Sequence, residues 1–294
     1  PFAQDTSDTL DKDRSIAITL PEVATGSLSG TLKFYPAPLA TMLDGLQSIL
    51  REPCGCFEQA SSSTYPNIMV LNYLEQAEIE APEVRKRALD LIKKGYRKLA
   101  GYECKKQGYE WFGGDPGHEA LTAYGLMEFL DMAKVYDGVD QEMIQRTAAW
   151  ILARRDGKGG FERNSRALDS FGRAPKGVTN AYIVWALAEA EVKGIDAEIA
   201  AVTKNAYTAK NPYVQALAVL ARLKQDPKSG DGLELAALLE AQRRKDGSFP
   251  GAEQSITGSS GRQLDVETTS LAILALLRAG RPAAKLNESV QWLL

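Results

Sequence analysis

The spacing of apolar positions changes once along this chain, near residue 36. From Ser15 to Tyr35 the sequence reads SIAITLPEVATGSLSGTLKFY. Two short alternating stretches rich in Ile, Thr and Leu flank a Gly/Ser turn, which predicts two strands. Past Pro36 the period lengthens: Leu39, Met42, Leu43, Leu46 and Leu50 share one helical stripe, and Ile68, Leu71 and Leu74 belong to a second. The same spacing predicts further helices over roughly 82–100, 118–135, 140–154, 178–192, 196–208, 211–224, 232–243, 265–279 and 285–294. The expected organisation is a β segment at 1–36, followed by a helical domain at 37–294.

The helices are punctuated by a weak repeat. ILARRDGKGGF (151–161) and LEAQRRKDGSF (239–249) share a helix end, a basic pair, a turn built on Asp and Gly, and an aromatic. Tyr109-Glu110-Trp111-Phe112-Gly113 reads as a degenerate third copy. Each copy leads into a helix opening with Thr or Asn and small residues: LTAYGLMEFL (121–130), VTNAYIVWAL (178–187) and VETTSLAILAL (266–276). Helical hairpins repeated in this way must stack to bury their apolar faces. They resemble the α/α-toroid class, an inner ring of helices wrapped by an outer one, found in complement thioester domains, protein prenyltransferase β subunits and terpene cyclases. The expected fold is therefore all-α, an α/α toroid of about a dozen helices with a short N-terminal β appendage. Fold alone does not name an activity.

With 294 residues and 44% hydrophobic composition, the chain is long enough to bury a full core. No apolar run approaches the length of a membrane span, because the greasiest stretch ends at Arg278 and Gly280. Net charge is −3, with acidic and basic residues interspersed, so nothing points to nucleic acid or to an anionic lipid surface. The basic patches Arg154 to Arg155 and Arg243 to Lys245 are read as solvated helix ends that complement the helix dipole. The first residues carry no pattern of a secretory leader.

The sharpest chemistry sits in Pro53-Cys54-Gly55-Cys56-Phe57-Glu58-Gln59, just before a helical run. Cys56 and Gln59 stand three apart, so in a first helical turn their side chains share a face. Attack of the thiolate on the Gln59 carboxamide, with loss of ammonia, would close a thiolactone through Phe57 and Glu58. Gly55 permits a sharp entry into the helix. Negative charge is favoured at a helix N-terminus, which makes a thiol there a good leaving group. Spacing alone leaves the plainer alternative open, a buried cysteine beside a solvated glutamine.

The wider sequence narrows that choice. The pattern Pro-x-Gly-Cys-x-Glu-Gln at 53–59, with PNIMVLNYL at 66–74 and the helix PEVRKRALDLIKKGYRKL at 82–99, resembles the thioester motif of alpha-2-macroglobulins and complement components. The likeness runs from the strands near Ile16 to Leu294. Cys54 departs from it by standing where an ordinary residue is usual. Phe57 replaces the small residue of the vertebrate motif, at a position that bacterial relatives also vary.

The resemblance implies a single-use covalent domain of a protease-trapping inhibitor, not a turnover enzyme. A bait segment elsewhere is cut, the bond is exposed, and Gln59 acylates a lysine amine of the captured protease. The implied site is Cys56, Gln59 and Glu58, with no cofactor beyond the internal thioester. Macroglobulin-like and CUB-like domains are the implied neighbours, residues 1–36 being a candidate part of the CUB-like connector. The implied location is periplasmic or extracellular. Two alternatives are a complement-like opsonin that tags surfaces and a toroid enzyme of the prenyltransferase or cyclase type, although no DDxxD or DxDD run occurs.

In complement proteins a loop matching GGFERNSRALDSFG (159–172) can carry a histidine that steers the acyl group to hydroxyls. Alignment on Gly159 and Phe161 puts Asp169 there, which implies a preference for amines. Read as a solvated loop acid, Asp169 has no such role. Cys54 and Cys104 are candidates for a disulfide, the alternative being two unpaired thiols. A Cys54, Cys56, Cys104 and His118 zinc set lacks paired ligand spacing. His118, the sole histidine, reads as a surface or cap-region residue.

Overall fold

A computed structural model of the chain describes residues 15, 17, 19, 22, 24, 26–31, 45–164, 171 and 173–293. Residues 1–44 and 45–294 form two compact units. In the first, Gly26 adopts φ 79° and Ser27 donates its backbone N–H to Ala24 O at 3.0 Å, a tight turn where the Gly/Ser turn was expected. Most positions of the two expected strands lie outside the described residues.

The second unit is all-α. After a short helical stretch at 45–49 come α1 (Phe57–Gln76), α2 (Pro82–Ala100), α3 (Glu119–Ala133), α4 (Gln141–Leu152) and α5 (Lys176–Glu189). They are followed by α6 (Asp196–Ala209), α7 (Pro212–Gln225), α8 (Gly230–Glu240), α9 (Gly261–Arg278), a 3₁₀ turn (Ala283–Leu286) and α10 (Asn287–Leu293). Alternate helices pack in succession, α1 on α3, α3 on α5, α5 on α7 and α7 on α9, and each also packs on the helix that follows it. This is the two-layered α/α toroid. The burial pattern shows why: eleven of the fourteen residues of α7 are buried, against five of fourteen in α6. A helix apolar on every side belongs inside, and one with a single apolar stripe belongs outside.

The repeat places these layers. In each copy a turn brings an aromatic residue to the core, and its backbone N–H donates to a polar side chain near the start of the next inner helix. Tyr109 donates to Thr122 Oγ1 at 2.9 Å, Phe161 to Asn180 Oδ1 at 3.4 Å and Phe249 to Thr269 Oγ1 at 3.0 Å. All three aromatics are buried, so an unpaired N–H there would carry a desolvation cost of about 1–3 kcal/mol. The Thr or Asn at the head of each inner helix exists to accept that bond.

Among the described residues no helix is long and apolar enough to cross a membrane.

Candidate reactive centre

The segment before α1 is held from both sides. Asn67, fully buried near the middle of α1, accepts from Arg51 N at 3.0 Å and donates to Arg51 O at 2.9 Å. It thereby pins the strand of chain leading to Pro53, and gives PNIMVLNYL a structural reason to accompany the cysteine. Tyr102 at the end of α2 donates its hydroxyl to Gly55 O at 2.7 Å. Between these anchors Gly55 turns the chain at φ +77°, in the left-handed region.

That turn presents Cys56 as the N-cap of α1, in extended conformation. The Cys56 backbone N–H donates to Gln59 Oε1 at 3.2 Å, in the reciprocal arrangement of a capping box. The Gln59 carboxamide also lies over Gly55: a Cβ on that residue would stand 1.9 Å from Gln59 Oε1 and 2.8 Å from Gln59 Cδ. Cys56 is half-buried and Gln59 exposed. The structure therefore folds the amide back onto the turn that carries the thiol.

Phe57 locks the first helical turn. It is fully buried, its N–H donates to Trp111 O at 2.9 Å, and its ring lies 5.0 Å from that of Tyr109 and edge-on to Tyr102 at 6.3 Å. Space for so large a side chain comes from α3, where a Cβ on Gly125 would meet Phe57 Cζ at 2.6 Å. Glu58 accepts from the Trp111 indole Nε1 at 3.0 Å. Trp111 thus grips both residues that separate Cys56 from Gln59. Its own turn is stiffened by the buried Glu110, whose Oε2 accepts from Phe112 N at 2.8 Å and Gly114 N at 3.3 Å. Trp111 and Tyr102 have site-building roles that spacing does not announce. The only signal for Trp111 is its position in the degenerate third repeat.

His118 is not at the surface. It is 2% exposed and caps α3, its Nδ1 accepting from Leu121 N at 3.4 Å, with its ring 5.0 Å from that of Trp111. Cap-region is the correct half of the expectation; the ring is buried, with Trp111 edge-on against it.

The three cysteines are free, so the expected Cys54–Cys104 bridge is not formed in the structure. Their surroundings differ. Cys54 is exposed on the reactive turn, whereas Cys104 is 3% exposed and donates its thiol to Gly114 O at 3.3 Å. Burial, followed by the charges of Asp115 and Glu110, pushes the Cys104 thiol up to about 11, so it is held neutral. Among the described residues no group of three or more His, Cys, Asp or Glu converges as metal ligands.

The loop after Phe161 begins with Asn164 N donating to Glu119 Oε2 at 2.8 Å and Asn164 Nδ2 to Gly117 O at 3.3 Å. Asp169 lies outside the described residues.

An inner ring of helices around a core, entered by a turn that folds a glutamine amide back onto the backbone of the cysteine residue, defines a class of protein: an α/α-toroid domain with a Cys-x-x-Gln turn at its first inner helix. The profile of the A-macroglobulin TED domain matches residues 33–294. The chain belongs to that family, the thioester-containing domains of alpha-2-macroglobulin and complement proteins. Such domains react covalently through their thioester and are parts of larger macroglobulin proteins, which sets aside a prenyltransferase-like enzyme.

Proposed function

We propose that Cys56 and Gln59 carry the thioester, and that this domain serves a protease-trapping macroglobulin by acylating lysine amines of the captured protease. The observation that carries the reading is the Gln59 carboxamide folded onto Gly55 and hydrogen-bonded to the Cys56 N–H. In that position the acyl carbon and the sulfur belong to one rigid turn, and ring closure asks for no unfolding of α1. Glu58, held by Trp111, positions the peptide units between them and is a positioning residue. When an amine attacks, its nitrogen bonds to the Gln59 acyl carbon, the Cys56 sulfur leaves with the bonding electrons, and the proton lost by the amine neutralises that thiolate.

Amine preference is supported by the whereabouts of the sole histidine. Hydroxyls need a base or an acyl carrier at neutral pH, and imidazole suits both. His118 is committed as a buried cap, and the loop of Asp169 contains no other. A carboxylate, with an ordinary pKa near 3.9, is a weak base there. The macroglobulin setting also supports an extracellular or periplasmic location, with a CUB-like connector on the N-terminal side.

Intact mass tests the reading. Freshly purified protein is expected to be one ammonia lighter than its sequence, and methylamine to add to Gln59 while freeing one thiol. Cys56→Ala abolishes both. A full sequence mass, with Gln59 neither lost to a ring nor converted to glutamate, overturns the assignment.

A further inference from the structure

Three features outside the proposed reaction stand out: the buried Glu128 between α1 and α3, the polar pocket lined by Asp156, Lys176 and Asn205, and the second thiol on the reactive turn. The last carries furthest. Cys54 and Cys56 flank Gly55, and the Gln59 acyl carbon lies against Gly55, 2.8 Å from where a Cβ would stand. Neighbouring Cα atoms are only about 3.8 Å apart. The acyl group therefore rests beside the residue that joins the two sulfurs, while Tyr102 holds that residue's carbonyl in place.

We propose that Cys54 is a second acyl carrier, taking the Gln59 acyl group from Cys56 by thiol–thioester exchange and presenting it to the amine. The inference rests on the Cys56–Gln59 reading. In the step, the Cys54 thiolate bonds to the Gln59 carbonyl carbon and the Cys56 sulfur leaves as a thiolate. The proton released from Cys54 reaches Cys56 through solvent. One thioester replaces another, so no oxidant or reductant is consumed. Attacking and leaving groups are both alkyl thiols, and the Cys56 sulfur at the helix N-terminus is the better placed of the two to leave.

The two positions differ in what surrounds them. Cys56 is half-buried at the helix cap, next to Phe57, whose N–H is held by Trp111 O, whereas Cys54 is exposed. Transfer leaves the acyl carbon on the exposed Gln59 and moves the leaving sulfur from the half-buried cap to the exposed residue 54. A nucleophilic carrier is what this site otherwise lacks, since its only imidazole is a buried cap. Thiols are good carriers because they are both strong nucleophiles and good leaving groups. Cys104 is no rival for the role, being buried and kept neutral.

Brief alkylation with iodoacetamide followed by peptide mapping decides the matter, alongside methylamine kinetics of Cys54→Ser. The expected signature is a fraction of chains with Cys56 alkylated while the Cys54 and Gln59 residues remain joined with loss of ammonia. Cys54→Ser is expected to keep the ammonia loss but to capture methylamine on the order of tenfold more slowly. If the ammonia loss is present, only Cys54 is ever alkylated before amine is added, and the variant reacts at the wild-type rate, the carrier role is overturned and the Cys56–Gln59 bond stands. If wild-type protein shows no ammonia loss and no glutamate at 59, both fall together.

Discussion

Phe57 and Gly125 occupy one another's space across the α1–α3 contact: a single methyl added at Gly125 would stand 2.6 Å from Phe57 Cζ. The ring is fully buried and the neighbour is the rigid interior of an aromatic cluster, with no flexible chain end to yield. Gly125→Ala is therefore expected to lower stability by about 1–3 kcal/mol and to reduce thioester yield, because Phe57 sits directly between Cys56 and Glu58. Phe57→Ala should cost about 3–5 kcal/mol. The double variant Gly125→Ala, Phe57→Leu is expected to recover part of both losses. Denaturant midpoints and intact mass report the two effects; additive losses in the double variant would show that the two sites do not communicate.

Glu128 makes a prediction about pH. Its side chain is completely buried on α3, and burial drives its pKa well above the ordinary carboxylate value. Asp131 on the same helix adds repulsion, while Ser61 from α1 pulls the other way. The folded protein thus keeps a proton that the unfolded chain releases above its ordinary carboxylate pKa. With more protons bound in the folded state, stability falls as pH rises from that value toward the raised folded one, by up to about 1.4 kcal/mol per pH unit. Glu128→Gln should flatten that decline and raise the melting temperature at pH 7 while changing little at pH 4. An unchanged slope in the variant would locate the titrating group elsewhere.

How much of this was readable beforehand differs between the layers of the molecule. Helical period, the Asp-Gly-aromatic repeat and the Thr or Asn opening of the next helix are local and legible in the sequence, whereas the choice of Thr122, Asn180 and Thr269 as the accepting residues comes from the structure. Cys56 and Gln59 were equally local, being three apart on one helical turn. What spacing could not supply are relationships between residues distant in sequence: Trp111 on Glu58, Tyr102 on Gly55, Asn67 on Arg51. Each depends on which repeat packs beside the reactive turn. The burial of His118 is hidden for the same reason, since Trp111, edge-on against it, comes from the neighbouring repeat turn.

Cysteine accessibility is expected to follow the environments of the thiols. In native protein without reductant Cys54 should alkylate readily, and Cys104 only after denaturation, because it is 3% exposed and held neutral. Raising the pH toward 11 should speed Cys104 modification only as the thiolate appears. Non-reducing peptide maps that recover Cys54 and Cys104 as one cross-linked pair would restore the disulfide and reverse this expectation.

Gly55 offers the most discriminating variant of the turn itself. Two separate constraints act there: the left-handed φ of +77°, which disfavours any side chain, and the Gln59 carboxamide, which leaves no room for a Cβ. Alanine violates both, whereas asparagine tolerates the left-handed region better yet still brings a Cβ. Stability should therefore drop more for Gly55→Ala, by about 1–2 kcal/mol, than for Gly55→Asn. Thioester formation should fail in both, because a Cβ placed 1.9 Å from Gln59 Oε1 must drive the amide off the turn. Melting curves separate the first effect, and the ammonia loss together with free-thiol titration separates the second. A Gly55→Asn protein that forms the bond at wild-type yield would mean that Gln59 closes onto Cys56 from a different side, and that the capping-box arrangement of the amide is not the precursor of the ring.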